Sequence, residues 1–501
     1  MNKIIVGIII VVLALCGIYA VSNSGTGNGE AVSINSSNLD VQDNLMVNSQ
    51  ENVEKKLYKT DKADTNTVLV ENNSSLVIKE SIVNKTGDSS DNGDNVDFYG
   101  TNSAILVKKC SSANINNVEV YTDSSGSNAI FVTNGESTGE SSGGMGGQPP
   151  EAMGGEPQSA GQQAGQTAGE GVPEKPEGGG EAMLGGQESE DYSEGGANAT
   201  IKDVVINTYK DKSRGIDATY GGKVTAENVV INTRGNSCAA LATDRGEGSI
   251  LATNCELNTG VDNASGRGSP CIYSTGNITV ENSKGTAYVS QIACIEGKNS
   301  ITLKDSELNA YGGGNREDNG HFVDLAGIFI YQSMSGDADV GTATLNATSS
   351  TLSIDEKSEF YTTAPMLHVT NTKAVINMEK CELKFGSNVL LNVSGQNQWG
   401  TTGSNGGDLE FNSVDETLSG DIVVDSISSL KFSMSSTEYN GCINPSDSIG
   451  NTSVVIDSGS TWKLTGDSHI SSLDNSGKID YANYTLYVDG QAYTADNPYN
   501  K

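Results

Sequence analysis

Short alternating segments recur along the chain. SRGIDAT begins at Ser213, SCAALAT at Ser237 and SPCIYST at Ser269. Residues two apart on a strand share a face, so Ile216 with Ala218, Ala240 with Ala242, and Ile272 with Ser274 each mark one inward, apolar or small face. AILVK (104–108), AIFVT (129–133), GIFIY (327–331), MLHVT (366–370) and LLNVS (390–394) repeat the alternation. Measured between the last residues of successive copies, the steps are 25, 86, 24, 32, 21, 35, 39 and 24 residues.

A second pattern lies between these copies: alternating apolar residues, then Asn or Asp, then an apolar residue three further on. VTAENVVI (224–231) and ITLKDSEL (301–308) show it. Asn117, Asp203, Asn228, Asn254, Asn282 and Asp305 form the Asn/Asp column. Each unit therefore holds two or three short strands separated by polar turns. Units of this size cannot bury an apolar face alone and must stack. Strands recurring in one direction, one coil apart, predict an all-β chain: a single long right-handed parallel β-helix. Only inward positions are constrained and turns lengthen freely, so the spacing drifts while the pattern persists. The Asn/Asp column predicts an internal ladder at a turn, its amides bonded from coil to coil.

Composition agrees. Gly makes up 60 of 501 residues and Pro 9, and hydrophobic content is 35%, low for a globular chain but sufficient for the thin core of a solenoid. About a dozen coils at ~4.8 Å predict a rod of about 60 Å.

The pattern divides the chain. Residues 1–22 carry an apolar run, Ile4 to Val21, behind one Lys. That run is long for a signal-peptide core and reaches the lower limit of a membrane span, so it reads as either a cleaved signal or an uncleaved anchor. Either sends the rest of the chain outside the cell. A flexible linker is expected over 23–50, N-terminal coils over 51–133, central coils over 199–415, and C-terminal coils with a cap over 416–501. The intervening 134–198 is rich in Gly, Glu, Gln, Ser and Pro and nearly lacks aliphatic residues. It cannot offset its ordering entropy by burial and is expected to be a disordered insert between two adjacent coils.

Net charge is −33, from 63 acids against 30 bases, which excludes nucleic acid as a partner. Eight cysteines in an exported chain would suggest disulfides. However, Cys255 and Cys381 fall where other coils carry Val118, Val204 or Val229, and Cys271 falls where Gly215 and Ala239 fall, so these read as small core fillers.

The run from DATYGGKVTAENVVINT through IYSTGNITVENS to LSGDIVVDSISSL resembles a family of extracellular adhesin-like proteins of anaerobic bacteria and methanogenic archaea. These carry a pectate-lyase-like right-handed β-helix, often with a Gly/Met-rich insert like GGMGGQPPEAMGG. The resemblance implies a fold and a surface location rather than an activity. GSTWKLTGDSHISSLDNSGKID (459–480) is similar to the end of pertactin-type autotransporter passengers, which implies a cap with Trp462, Leu464, Ile470, Leu473 and Ile479 turned inward.

Enzymatic chemistry is weighed against this. The motifs of a polygalacturonase-like enzyme (Asn-Thr-Asp, Asp-Asp, Gly-His-Gly, Arg-Ile-Lys) do not occur. Asp217 projects outward, Asp244–Arg245 follows the next coil and Glu296 ends a later one. These four read as solvated turn charges, or alternatively as a lyase or hydrolase site. The three His (321, 368, 469) show no metal-ligand spacing, and no cofactor or metal is expected. DSSDNGDNVDFY (88–99) has Tyr99 where a calcium loop needs a bidentate Glu, so it reads as a flexible polar turn. The outward column comprises Leu106, Phe131, Asp217, Leu241, Tyr273, Cys294, Phe329 and His368. It is expected beneath loops such as 308–326 or 395–406; if open, Tyr273, Phe329 and His368 would be ligand-binding. The leading expectation is a non-enzymatic cell-surface adhesin-like or envelope structural protein that contacts glycans or envelope components. A polysaccharide lyase or hydrolase and a non-catalytic carbohydrate-binding protein are the alternatives.

Overall fold

The computed structural model describes residues 34–90, 93–136, 196–262, 268–313, 325–333, 335–446 and 450–500. The N-terminal apolar run and nearly all of the Gly-rich insert lie outside the described residues. Among the described residues, no helix is long and apolar enough to cross a membrane.

The described chain is nearly all β, with strands gathered into parallel sheets of 21, 12 and 4 strands and a final three-stranded sheet. Each coil contributes to the large sheet and, through most of the chain, to the twelve-stranded one. The inward residues of both sheets form one continuous hydrophobic core. In the twelve-stranded sheet, Ile105, Ile130, Ile216, Leu241, Ile272, Ala293, Ile328, Leu367 and Leu391 align one above another, each fully buried.

That register shifts one sequence expectation by a residue. Leu241, not Ala240, pairs with Ile216 and Ile272, so Leu241 points inward and Ala242 outward. The cause lies three residues upstream. Ser213 N–H donates to Cys238 Sγ (3.1 Å) and Cys238 N–H to Ser269 Oγ (2.7 Å), so Cys238 rather than Ser237 continues the serine column. By the same shift, Cys271 aligns with Gly215 and Ala240 rather than with Ala239. Cys255 and Cys381 do occupy the valine column and are buried, and the seven described cysteines are all free.

The Asn/Asp column has a backbone cause. Asn117, Asp203, Asn228, Asn254, Asn282 and Asp305 all have φ between 47° and 56°, a left-handed conformation that Asn and Asp tolerate best. This kink bends the 11-residue strands Ser112–Thr122, Asn198–Thr208 and Lys223–Thr233 and, in later coils, separates pairs such as Ser249–Thr253 and Glu256–Thr259. The ladder is external, not internal as the sequence suggested. Asn228 donates to Asp203 Oδ1 at 3.0 Å and Asn282 to Asn254, all four exposed. The kink turns this side chain out to water, and the following residue fills the core.

Stacking begins earlier than expected from the linker reading: Asp40–Gln42 and Leu45–Val47 already pair with Lys56–Thr60 and Val68–Val70. The coils flanking the insert are neighbours. Ile130 pairs with Ile216, and Asn134 bridges them, accepting from Ala197 N–H (2.7 Å) and donating to the Tyr220 carbonyl (2.8 Å). At the C-terminus Trp462, Leu464, Ile470 and Leu473 are buried and Ile479 half-buried, and the antiparallel pair Leu486–Val488 and Gln491–Tyr493 ends the stack.

Candidate functional site

Among the described residues, the outward face of the twelve-stranded sheet gathers charged and aromatic side chains, and it is covered. Asp94–Tyr99, read from sequence as a flexible turn, forms a short helix, α1, ended by Gly100 in the left-handed region (φ 66°). Any Cβ at Gly100 would strike the Phe131 ring, so only glycine lets α1 lie this close. Val96 and Phe98 are buried against the face. Further along, the 394–406 loop lies over it. Leu106, Phe131, Asp217, Cys294, Phe329 and His368 are all buried, and Tyr273 is half-buried. Part of the 308–326 loop lies outside the described residues.

Two linked polar clusters lie under this cover. The first centres on Arg214. Its Nη1 donates to Asp97 Oδ1 of α1 (3.0 Å), and its Nε lies 3.6 Å from Asp217 Oδ2 and in contact with Asp244. Lys212 Nζ reaches Asp97 Oδ2 at 3.2 Å. Burial disfavours the Arg214 charge, but Asp244, Asp97 and Asp217 together hold its pKa above the usual value. Asp217 and Asp244 hydrogen-bond to each other, and burial raises both carboxyls despite Arg214. A shared proton is the physical outcome for two buried carboxyls in contact. Beside them Arg245 pairs with Asp337 and, at 3.7 Å, with Asp94, its guanidinium 3.5 Å from the centre of the Phe98 ring.

The second cluster centres on Glu296. It accepts from Tyr273 Oη at 2.6 Å, from Tyr331 Oη at 3.1 Å and from Ser333 Oγ. Burial raises its pKa against those hydrogen bonds. Phe329 stacks on Tyr331 (4.8 Å between centroids) and meets His368 edge-on (5.4 Å). Burial lowers the His368 pKa to about 4, so its ring is neutral at physiological pH.

The structure thus brings together Asp217, Asp244 and Arg245, and joins Glu296 to Tyr273. It corrects their reading as solvated charges. Two of the acids paired to Arg214 and Arg245, Asp97 and Asp337, come from 117 and 92 residues away in sequence, so no local motif shows them. Arg234 Nε bonds Asp262 Oδ2 at 3.0 Å. Sequence reasoning passed over Arg214, Asp97, Tyr331 and Trp399. Tyr273, Phe329 and His368 lie in or beside the second cluster, with Phe329 and His368 sealed from solvent. Among the described residues, no group of three or more His, Cys, Asp or Glu is arranged to hold a metal.

Glycoside hydrolysis places its two carboxyls about 5–5.5 Å apart for retention or roughly 6.5–9.5 Å for inversion. Such a pair must also meet its substrate, whereas Asp217 is fully buried and Asp244 4% exposed beneath α1. The arrangement fastens a covering segment to the sheet. No family model matches the chain, and no curated protein matches it significantly.

Proposed function

We propose that this chain is a non-enzymatic adhesin-like or envelope structural protein of the cell surface, built on a right-handed parallel β-helix and exported through its N-terminal apolar segment. The observation that carries the reading is how the acids of the outward face are used. Asp97, Asp217 and Asp244 surround Arg214, and Glu296 holds two tyrosines. Their chemistry is spent on fastening α1 and on packing, so function resides on the outer surface of the stack.

The charge of −33 fits an extracellular medium, and the long parallel sheets fit a solenoid that displays loops at intervals. The Gly-rich insert emerges between two coils whose pairing it leaves intact. Glycans or other envelope components are the expected partners. Fractionation of the native cells tests the proposal: recovery in the surface or envelope fraction is expected, and recovery in the cytoplasm would overturn it.

A further inference from the structure

We infer that Lys85 and Asn102 condense into an intramolecular isopeptide bond that locks the base of the segment carrying α1.

Lys85 ends the strand Ser75–Lys85, and Asn102 shortly precedes the strand Ile105–Val107. The chain between them forms α1 and returns to the coil. Both side chains are fully buried, Lys85 in line with the buried Thr122 and Thr208 of the next coils. Lys85 Nζ donates to the Lys62 carbonyl at 2.9 Å and to the Gly87 carbonyl. Asn102 Nδ2 donates to that same Gly87 carbonyl at 3.0 Å. The two nitrogens therefore meet at one oxygen. A Cβ at Gly87 would overlap the backbone of Asp61 and Lys62, so only glycine brings this carbonyl between them.

As two separate side chains the pair is poorly satisfied. The Lys85 amine bonds backbone carbonyls and no carboxylate, and a buried charge without a counter-charge is costly. Burial lowers its pKa to about 8, against the pull of Asp64, Asp88 and Asp61, so part of it is neutral, nucleophilic amine at physiological pH. Asn102 Oδ1 is buried with no hydrogen-bond partner. The Gly87 carbonyl, with two lone pairs, faces three donors: Lys85 Nζ, Asn102 Nδ2 and Ser124 Oγ.

Condensation resolves all three features. The Nζ lone pair attacks Asn102 Cγ, the Nζ–Cγ bond forms, the Cγ–Nδ2 bond breaks and ammonia leaves. One proton passes from Nζ to the departing Nδ2. Ser124 Oγ, 3.3 Å from Nδ2 and bonded to the Gly87 carbonyl, is placed to carry it. Amine and amide add up to the new amide and ammonia, so no oxidant, reductant or further reactant enters. Groups held against one atom react at high effective concentration. The product is uncharged and keeps a single N–H, which leaves the Gly87 carbonyl two donors for its two lone pairs. The bond closes a ring through residues 86–101 and holds α1 on the sheet independently of its ion pairs with Arg214 and Arg245.

Trypsin reads the bond directly. In an unlinked chain, cleavage after Lys79, Lys85 and Lys108 releases 80–85 and 86–108 as separate peptides. Trypsin does not cut after an acylated lysine. The full-length protein, denatured and digested, is therefore expected to yield 80–108 as one peptide, lighter than its sequence by one ammonia. Its fragmentation spectrum is expected to show no backbone breaks between Lys85 and Asn102. Asn102→Ala is expected to release the two separate peptides at their sequence masses, and so is Lys85→Arg. Separate 80–85 and 86–108 from the wild-type protein would overturn the proposal. That holds even if 86–108 lacks one ammonia, because Asn92, which precedes Gly93, loses ammonia alone by cyclising to a succinimide. An uncut 80–108 of full mass, or a linked peptide from Asn102→Ala, would equally overturn it. The wild-type digest decides the matter whether or not the variants fold.

Discussion

Glu416 occupies a core position that other coils fill with Val118, Val229, Cys255, Ser283, Ser306 or Ser350. It is 3% exposed, its Oε1 accepts from Cys381 N–H at 2.8 Å, and its Oε2 has no hydrogen-bond partner. Burial lifts its pKa from 4.5 to about 7. The folded chain therefore holds this proton more tightly than the unfolded chain does. Glu416's contribution to stability is whole below about pH 4.5 and is lost as pH rises through about 7. At about 1.4 kcal/mol per pH unit, the full interval is worth roughly 3.5 kcal/mol, of which about 2.5 falls between about pH 5 and about pH 8.5. Glu416→Gln keeps the acceptor for Cys381 and removes the titration. Its unpaired N–H costs about 1–3 kcal/mol, equally at every pH. Urea unfolding of both proteins at the two pH values is the assay. The stability of Glu416→Gln relative to wild type should improve by about 2.5 kcal/mol from the acid to the alkaline condition. A difference independent of pH would refute the reasoning.

Three further outcomes follow from the packing. Ile328→Asp places an unpaired carboxylate between Ala293 and Leu367, and Phe329→Asp places one beneath the Trp399 loop; both should cost several kcal/mol in denaturant unfolding, and a harmless Ile328→Asp would break the strand register. Arg214→Met leaves Asp97, Asp217 and Asp244 around a lost cation and should cost about 3–5 kcal/mol, partly restored by adding Asp217→Asn; no restoration would mean that Arg214 acts by packing alone. Replacing 137–194 with a short Gly-Ser linker should leave the thermal midpoint and its cooperativity nearly unchanged, because Ile130 and Ile216 already pair across that junction and loop length enters only logarithmically.

The strand columns were legible because they depend on local alternation: Ile216, Ile272, Ile328 and Leu367 align as read. The frame slipped at Leu241 because small alanines flank it on both sides, and Cys238 performs a hydrogen-bonding role that serine performs in the coils on either side. The Asn/Asp column was found, but its direction was not. A kinked residue points out while its successor points in, and alternation alone does not distinguish the two. Coverage of the outward column was legible from its apolar character. The clamp beneath that cover was not, because Asp97 and Arg214 meet only after the coils stack and α1 folds across them.

Surface labelling of intact native cells with a membrane-impermeant amine reagent, followed by recovery of this chain, tests the central claim most directly. The chain's lysines include exposed side chains such as Lys55, Lys380 and Lys384, so a cell-surface protein should be labelled without lysis. Labelling only after the cells are broken would contradict the account.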